Sequence, residues 1–119
     1  MEKVYLCDLD KDNLDYIFTK KVIEENGFLL SSLEDADICL FNAGVFLSKH
    51  NAVPMEEELY RAKQEKKKII VIKPYGTSYL PLAFRKLKLS GIELLATHIE
   101  AALKDKPLNE ADLLLNRYC

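Results

Sequence analysis

Long apolar runs are missing from this 119-residue sequence, and none approaches the roughly 20 residues that a membrane-spanning helix needs. Cysteine is scarce. Its three residues form no C-x-x-C pair, which leaves no local frame for a zinc site or a redox dithiol. Cys7 and Cys39 fall in apolar strand-like runs and are expected to be buried thiols. Histidine is scarcer still. His50 falls in a polar loop and His98 in the first turn of a helix, so neither has a partner for chelation, and both are expected at the surface. No metal is implied. A positive surplus is also lacking, since the net charge is −2, which argues against a nucleic-acid binder. No P-loop, dinucleotide fingerprint, G-x-S-x-G or H-E-x-x-H occurs. The opening stretch to Cys7 has no signal-peptide core, so the expected compartment is the cytoplasm.

What is present is an ordinary globular balance, 49% apolar and 30% charged, in a length suited to one domain spanning 1–119. Val4 to Cys7 is β-prone. Leu14, Ile17, Phe18 and Val22 then recur as the stripe of an amphipathic helix, with Asp10 or Asp12 as its cap and Asn26-Gly27 as its stop. Phe28 to Leu30 is a short second strand. Ser31 to Ala36 is too short for a full crossover helix. Ile38 to Phe41 and Ile69 to Ile72 are continuous apolar runs, the pattern of strands covered on both faces. Pro54 suits the first turn of a helix running to about Lys66. A short helix over Leu82–Leu87 precedes an edge strand at Ile92–Leu95. Thr97 and Glu100 are spaced as a capping box for the next helix, and Asn109 to Tyr118 reads as a C-terminal helix docking through Leu113, Leu114 or Tyr118. Lys63, Lys66, Lys67 and Lys68 fit a solvated helix face. The alternation predicts a flavodoxin-like α/β domain with a doubly wound parallel sheet of about five strands in the order 2-1-3-4-5, the helix between strands two and three being reduced or absent.

Such sheets bind ligands outside the carboxyl ends of their strands. That rim gathers Asp8 and Asp10 after strand one, Asn42 to Gly44 after strand three, and Tyr75, Gly76 and Thr77 after strand four. The helix expected to start near Pro54 brings Glu56, Glu57 and Glu58 into its first turn, where carboxylates suit the helix dipole. Helical phase separates the three. Met55, Leu59 and Ala62 form the buried stripe, Glu57 points away from it and suits a pairing with Arg61, and Glu58 borders the core beneath the crevice.

The stretch from Asp37 to Gly44, followed by Glu58-Leu59-x-x-Ala62-Lys63-x-x-Lys66-Lys67-x-Ile69-Ile70-Val71-Ile72, resembles TIR-like domains, the bacterial relatives of Toll/interleukin-1-receptor domains. Tyr75-Gly76-Thr77-x-x-Leu80-Pro81 resembles the segment after the fourth strand in their small prokaryotic branch, and nucleoside deoxyribosyltransferases share a similar pattern. The resemblance implies that Glu58 stands where catalytic members carry the glutamate for cleaving the nicotinamide–ribose bond of NAD. It also implies ribose or phosphate contacts at Asn42, Gly44, Tyr75, Gly76 and Thr77, a homo-oligomer or a partner protein, and a setting in signalling or antiviral defence; Asp8 is a further candidate ligand-binding residue at the same rim. A non-catalytic ligand-binding or protein-interaction domain stays open. So does a degenerate receiver-like domain, because Asp8, Asp10 and Lys73-Pro74 resemble receiver landmarks while Asn42 stands where a receiver's phosphoacceptor aspartate belongs.

Overall fold

The apolar runs at Ile38 and Ile69 form the two central strands of the sheet, and their residues are buried from both sides except for the half-buried Ile69. The computed structural model describes residues 2–7, 12–43, 49–73 and 82–105, with side chains from 54 onward in the third stretch. Its elements are β1 (Lys3–Leu6), α1 (Leu14–Glu25), β2 (Leu29–Leu30), β3 (Ile38–Asn42), α2 (Lys49–Gln64), β4 (Lys68–Lys73), α3 (Leu82–Lys86), β5 (Gly91–Glu93) and α4 (Ala96–Leu103). The five strands are all parallel in the order β2-β1-β3-β4-β5, the flavodoxin-like order that the sequence predicts. The fifth strand is set two residues earlier than expected at its end, stopping at Glu93. The expected C-terminal helix at Asn109 to Tyr118 lies outside the described residues.

Strand alternation divides the core into two layers. Tyr5, Cys39, Phe41 and Val71 pack with Leu59 of α2 and Phe84 of α3 on one face. Val4, Leu40, Ile70 and Ile72 pack with Ile23 of α1 and Ile99 of α4 on the other.

The β2–β3 connection carries no helix, as its length predicts, and Leu33 and Ala36 fill the space that a crossover helix would cover. Lys67 holds this connection. Its ammonium donates to the backbone carbonyls of Leu33 (2.7 Å), Glu34 (2.9 Å) and Ala36 (2.9 Å). The expectation of a solvated Lys67 is therefore corrected: its side chain is only 12% exposed. Arg61 pairs with Glu34 of the same connection rather than with Glu57.

Three helix expectations also change. α1 ends where expected, with Gly27 at φ +83° closing the turn. Its cap, however, is Asn13, whose side chain accepts from the Asp15 N–H at 2.8 Å. The face it buries is Thr19, Val22 and Ile23; Leu14, Ile17 and Phe18 are exposed. Thr19 tolerates burial because its hydroxyl donates to the Asp15 carbonyl at 2.7 Å. α2 begins at Lys49 and runs through Pro54, so the three glutamates sit well inside the helix and the first turn carries no acidic residue. α4 starts at Ala96 behind Leu95, without a side-chain cap bond, so Thr97 and Glu100 form no capping box. His98 is buried in α4 rather than at the surface.

Candidate active site

Met55, Leu59 and Ala62 are buried on α2, as the helical phase predicts, and this seating sets the direction of Glu58. Glu57 is exposed and Glu58 is half-buried. The Glu58 carboxylate reaches across to β1. There the Tyr5 hydroxyl donates to its Oε2 at 2.7 Å, and the Cys7 thiol donates to the same oxygen at 3.3 Å. Tyr5 and Cys7 are two apart on an extended run and so share the face that α2 covers. Cys7 stands just past the carboxyl end of β1, its N–H donating to the Leu40 carbonyl at 3.1 Å, so the cluster lies at the rim where parallel sheets receive ligands.

Sequence reasoning located Glu58 but missed both donors. The available signal was positional: Tyr5 in β1 and Cys7 just past its end carry an O–H and an S–H, and their spacing of two sets them on one face of the extended run.

Cys39 lies in the same layer, fully buried. Burial pushes its thiol up to about 11, against the pull of the Lys67 ammonium and with a push from the Glu65 and Glu58 carboxylates. At neutral pH it is a protonated core thiol rather than a nucleophile.

Asn42 ends β3 and is buried, yet the alternation of Leu40 and Asn42 assigns it to the α1/α4 side of the sheet. The structure therefore places Asn42 and Glu58 at one rim but on opposite faces. At the end of β4, Lys73 faces Glu93 of β5, with Nζ 3.6 Å from Oε1 and both side chains 20% exposed. The second Glu93 oxygen is buried and accepts no hydrogen bond among the described residues. Asp8, Asp10, Gly44, Tyr75, Gly76 and Thr77 lie outside the described residues.

Among the described residues no group of three or more His, Cys, Asp or Glu is placed to hold a metal ion. No described helix is long and apolar enough to cross a membrane.

A half-buried carboxylate whose one oxygen is fixed by two donors is held in a set orientation. Such a group can stabilise positive charge that develops beside it and can accept ribose hydroxyls. Neither a protein-family model nor a curated protein sequence matches the chain.

Proposed function

We propose that this domain binds NAD or a related nucleotide at the carboxyl rim of its sheet and cleaves the N-glycosidic bond, with Glu58 as the essential carboxylate. The observation that carries this reading is the fixed Glu58 carboxylate, whose Oε2 accepts from both the Tyr5 hydroxyl and the Cys7 thiol. In the reaction the bond between ribose C1′ and the nicotinamide nitrogen breaks, and its electron pair neutralises the pyridinium. Water adds to C1′ and gives up a proton to solvent. Glu58 stabilises the cationic character at C1′ while that bond is stretched. The resemblance of the central third of the chain to TIR-like domains supports this assignment. It also supports a setting in signalling or antiviral defence, and the strand-like opening stretch supports the cytoplasm as the compartment.

The alternative is a non-catalytic ligand-binding or interaction domain, in which the Tyr5–Glu58 bond ties α2 to β1. The separation of Asn42 from Glu58 across the sheet favours it.

The test is incubation of concentrated protein with NAD and a panel of nucleosides, followed by chromatography. Release of nicotinamide or a free base is expected, with Glu58→Gln abolishing it. Turnover that survives in Glu58→Gln removes this mechanism, and absence of turnover with every substrate moves the assignment to the binding reading.

A further inference from the structure

Lys73 and Glu93 close β4 and β5 at the carboxyl rim, and they stand on the Glu58 face of the sheet. Val71 packs in the α2/α3 layer, and Lys73 lies two residues further along the same strand. Ile92 packs in the α1/α4 layer, so Glu93, its neighbour on β5, turns the other way. A basic and an acidic side chain, four-fifths buried, thus share a face and a rim with the Glu58 cluster.

The pair is unfinished as a structural link. A hydrogen-bonded ammonium–carboxylate pair closes to about 2.7–2.9 Å. Here Nζ and Oε1 are 3.6 Å apart, beyond hydrogen-bond reach, so among the described residues the ammonium spends none of its three protons. Other lysines that bridge elements of this chain are more fully used. Lys67 spends its protons on three carbonyls, and Lys68 bonds the Ala102 carbonyl and the Asp105 carboxylate. Glu93 therefore fixes where the Lys73 ammonium stands without consuming it. A fixed ammonium with unspent protons is what an incoming anion requires.

Its distance from Glu58 selects the anion. The register Leu6↔Leu40, carried one residue on and then across Phe41↔Val71, sets Cys7 level with Val71. Lys73 stands about 7 Å nearer the rim than that level. Only β3 separates β1 from β4, a lateral distance of about 10 Å. The Cα atoms of Cys7 and Lys73 are then about 12 Å apart, and β3 places the small Ala43 between them on the same face. A ribose at Glu58 that carries a 5′-diphosphate spans that interval; a nucleoside does not.

We infer that Lys73 is the diphosphate contact of this rim, positioned by Glu93, and that the ligand is a ribose 5′-diphosphate rather than a nucleoside. The inference rests on the nucleotide reading of the Glu58 rim and adds the group that recognises the phosphates.

The test is calorimetric titration of the full chain with ADP and with adenosine, which differ only in the diphosphate. ADP is expected to bind at least about tenfold more tightly, and Lys73→Met to bring it down to the level of adenosine. Lys73→Arg keeps the charge and is expected to stay within about threefold of the parent. Glu93→Gln removes the carboxylate beside the anion and is expected to bind ADP about threefold more tightly. That opposite sign separates a phosphate contact from a purely structural pair, in which both partners' substitutions act alike, and it decides the matter even if Lys73→Met does not fold. Equal affinity for ADP and adenosine, no ADP binding, ADP binding indifferent to Lys73→Met, or weakening by Glu93→Gln would each overturn the inference. Lys73-dependent ADP binding by a chain that releases no nicotinamide from NAD upholds the phosphate contact and removes only the cleavage assigned to Glu58.

Discussion

Replacing Lys67 by methionine isolates the device that stands in for the missing crossover helix. The aliphatic stem is kept, while the ammonium that bonds the carbonyls of Leu33, Glu34 and Ala36 is removed. Hydrogen bonds to charged groups contribute about 1.5–3 kcal/mol each, which sets an upper figure of roughly 4.5–9 kcal/mol. Two corrections reduce it. The ammonium gives up most of its own hydration at 12% exposure, and the Glu34 carbonyl is solvent-exposed and regains water in the variant. The expected net loss is about 2–4 kcal/mol. With a urea m-value of about 1.5 kcal/mol/M, the midpoint falls by roughly 1.3–2.7 M. Circular dichroism across a urea series at pH 7 measures it, with Lys63→Met on the exposed face of α2 as the control expected to stay within about 0.5 kcal/mol. A midpoint within about 0.3 M of the parent would refute the reasoning and return Lys67 to the solvated face.

Two further perturbations probe the layer around Glu58. A double-mutant cycle of Tyr5→Phe and Glu58→Leu, read by urea unfolding, is expected to give a coupling of about 1–2 kcal/mol, because the 2.7 Å bond is charge-assisted but only part-buried; additivity within about 0.3 kcal/mol would contradict the bond. Burial raises the Cys39 thiol to about 11 in the folded chain, against an ordinary 9.0, so the folded state binds more protons between those values and stability falls as pH rises through that window. The loss reaches about 2–3 kcal/mol by the top of the window and is expected to vanish in Cys39→Ala, whose stability is compared with the parent at pH 8 and pH 11; parallel pH profiles would exclude the thiol as the cause.

The sheet was legible because its central strands are covered twice. Ile38 to Phe41 and Ile69 to Ile72 are apolar without interruption, and only a position between two helical layers tolerates that. The connection without a helix was legible from its length alone. The buried face of α1 was not, because that helix carries two apolar surfaces. Leu14, Ile17 and Phe18 make the cleaner stripe, and the true inner face includes Thr19, whose polarity is hidden by a bond to its own helix. The start of α2 was misplaced because Pro54 favours a first turn without requiring one: its missing N–H costs an interior helix one bond, and the stretch from Lys49 continues through it. Glu58 was legible through the phase of Met55, Leu59 and Ala62, which needs no knowledge of where the helix begins. Its donors were not, since Tyr5 and Cys7 read as core residues until α2 is laid across them.

Whether Glu58 serves as a tie or as a charge is decided by chemistry at a single oxygen. Both donors, the Tyr5 hydroxyl and the Cys7 thiol, end on Oε2. A glutamine amide presents an acceptor oxygen of the same reach, so Glu58→Gln keeps a partner for each donor and preserves most of the link between α2 and β1. What it removes is the negative charge and the second acceptor, the two properties that stabilising a cationic sugar carbon and accepting a ribose hydroxyl require. Stability and chemistry therefore part in this one substitution. A tie predicts a chain that unfolds like the parent and binds whatever the parent binds. A catalytic carboxylate predicts the same unfolding curve with the turnover gone. Tyr5→Phe runs the opposite way: it leaves the charge in place, frees one acceptor position and loosens the link, so stability falls before any role of the charge is lost.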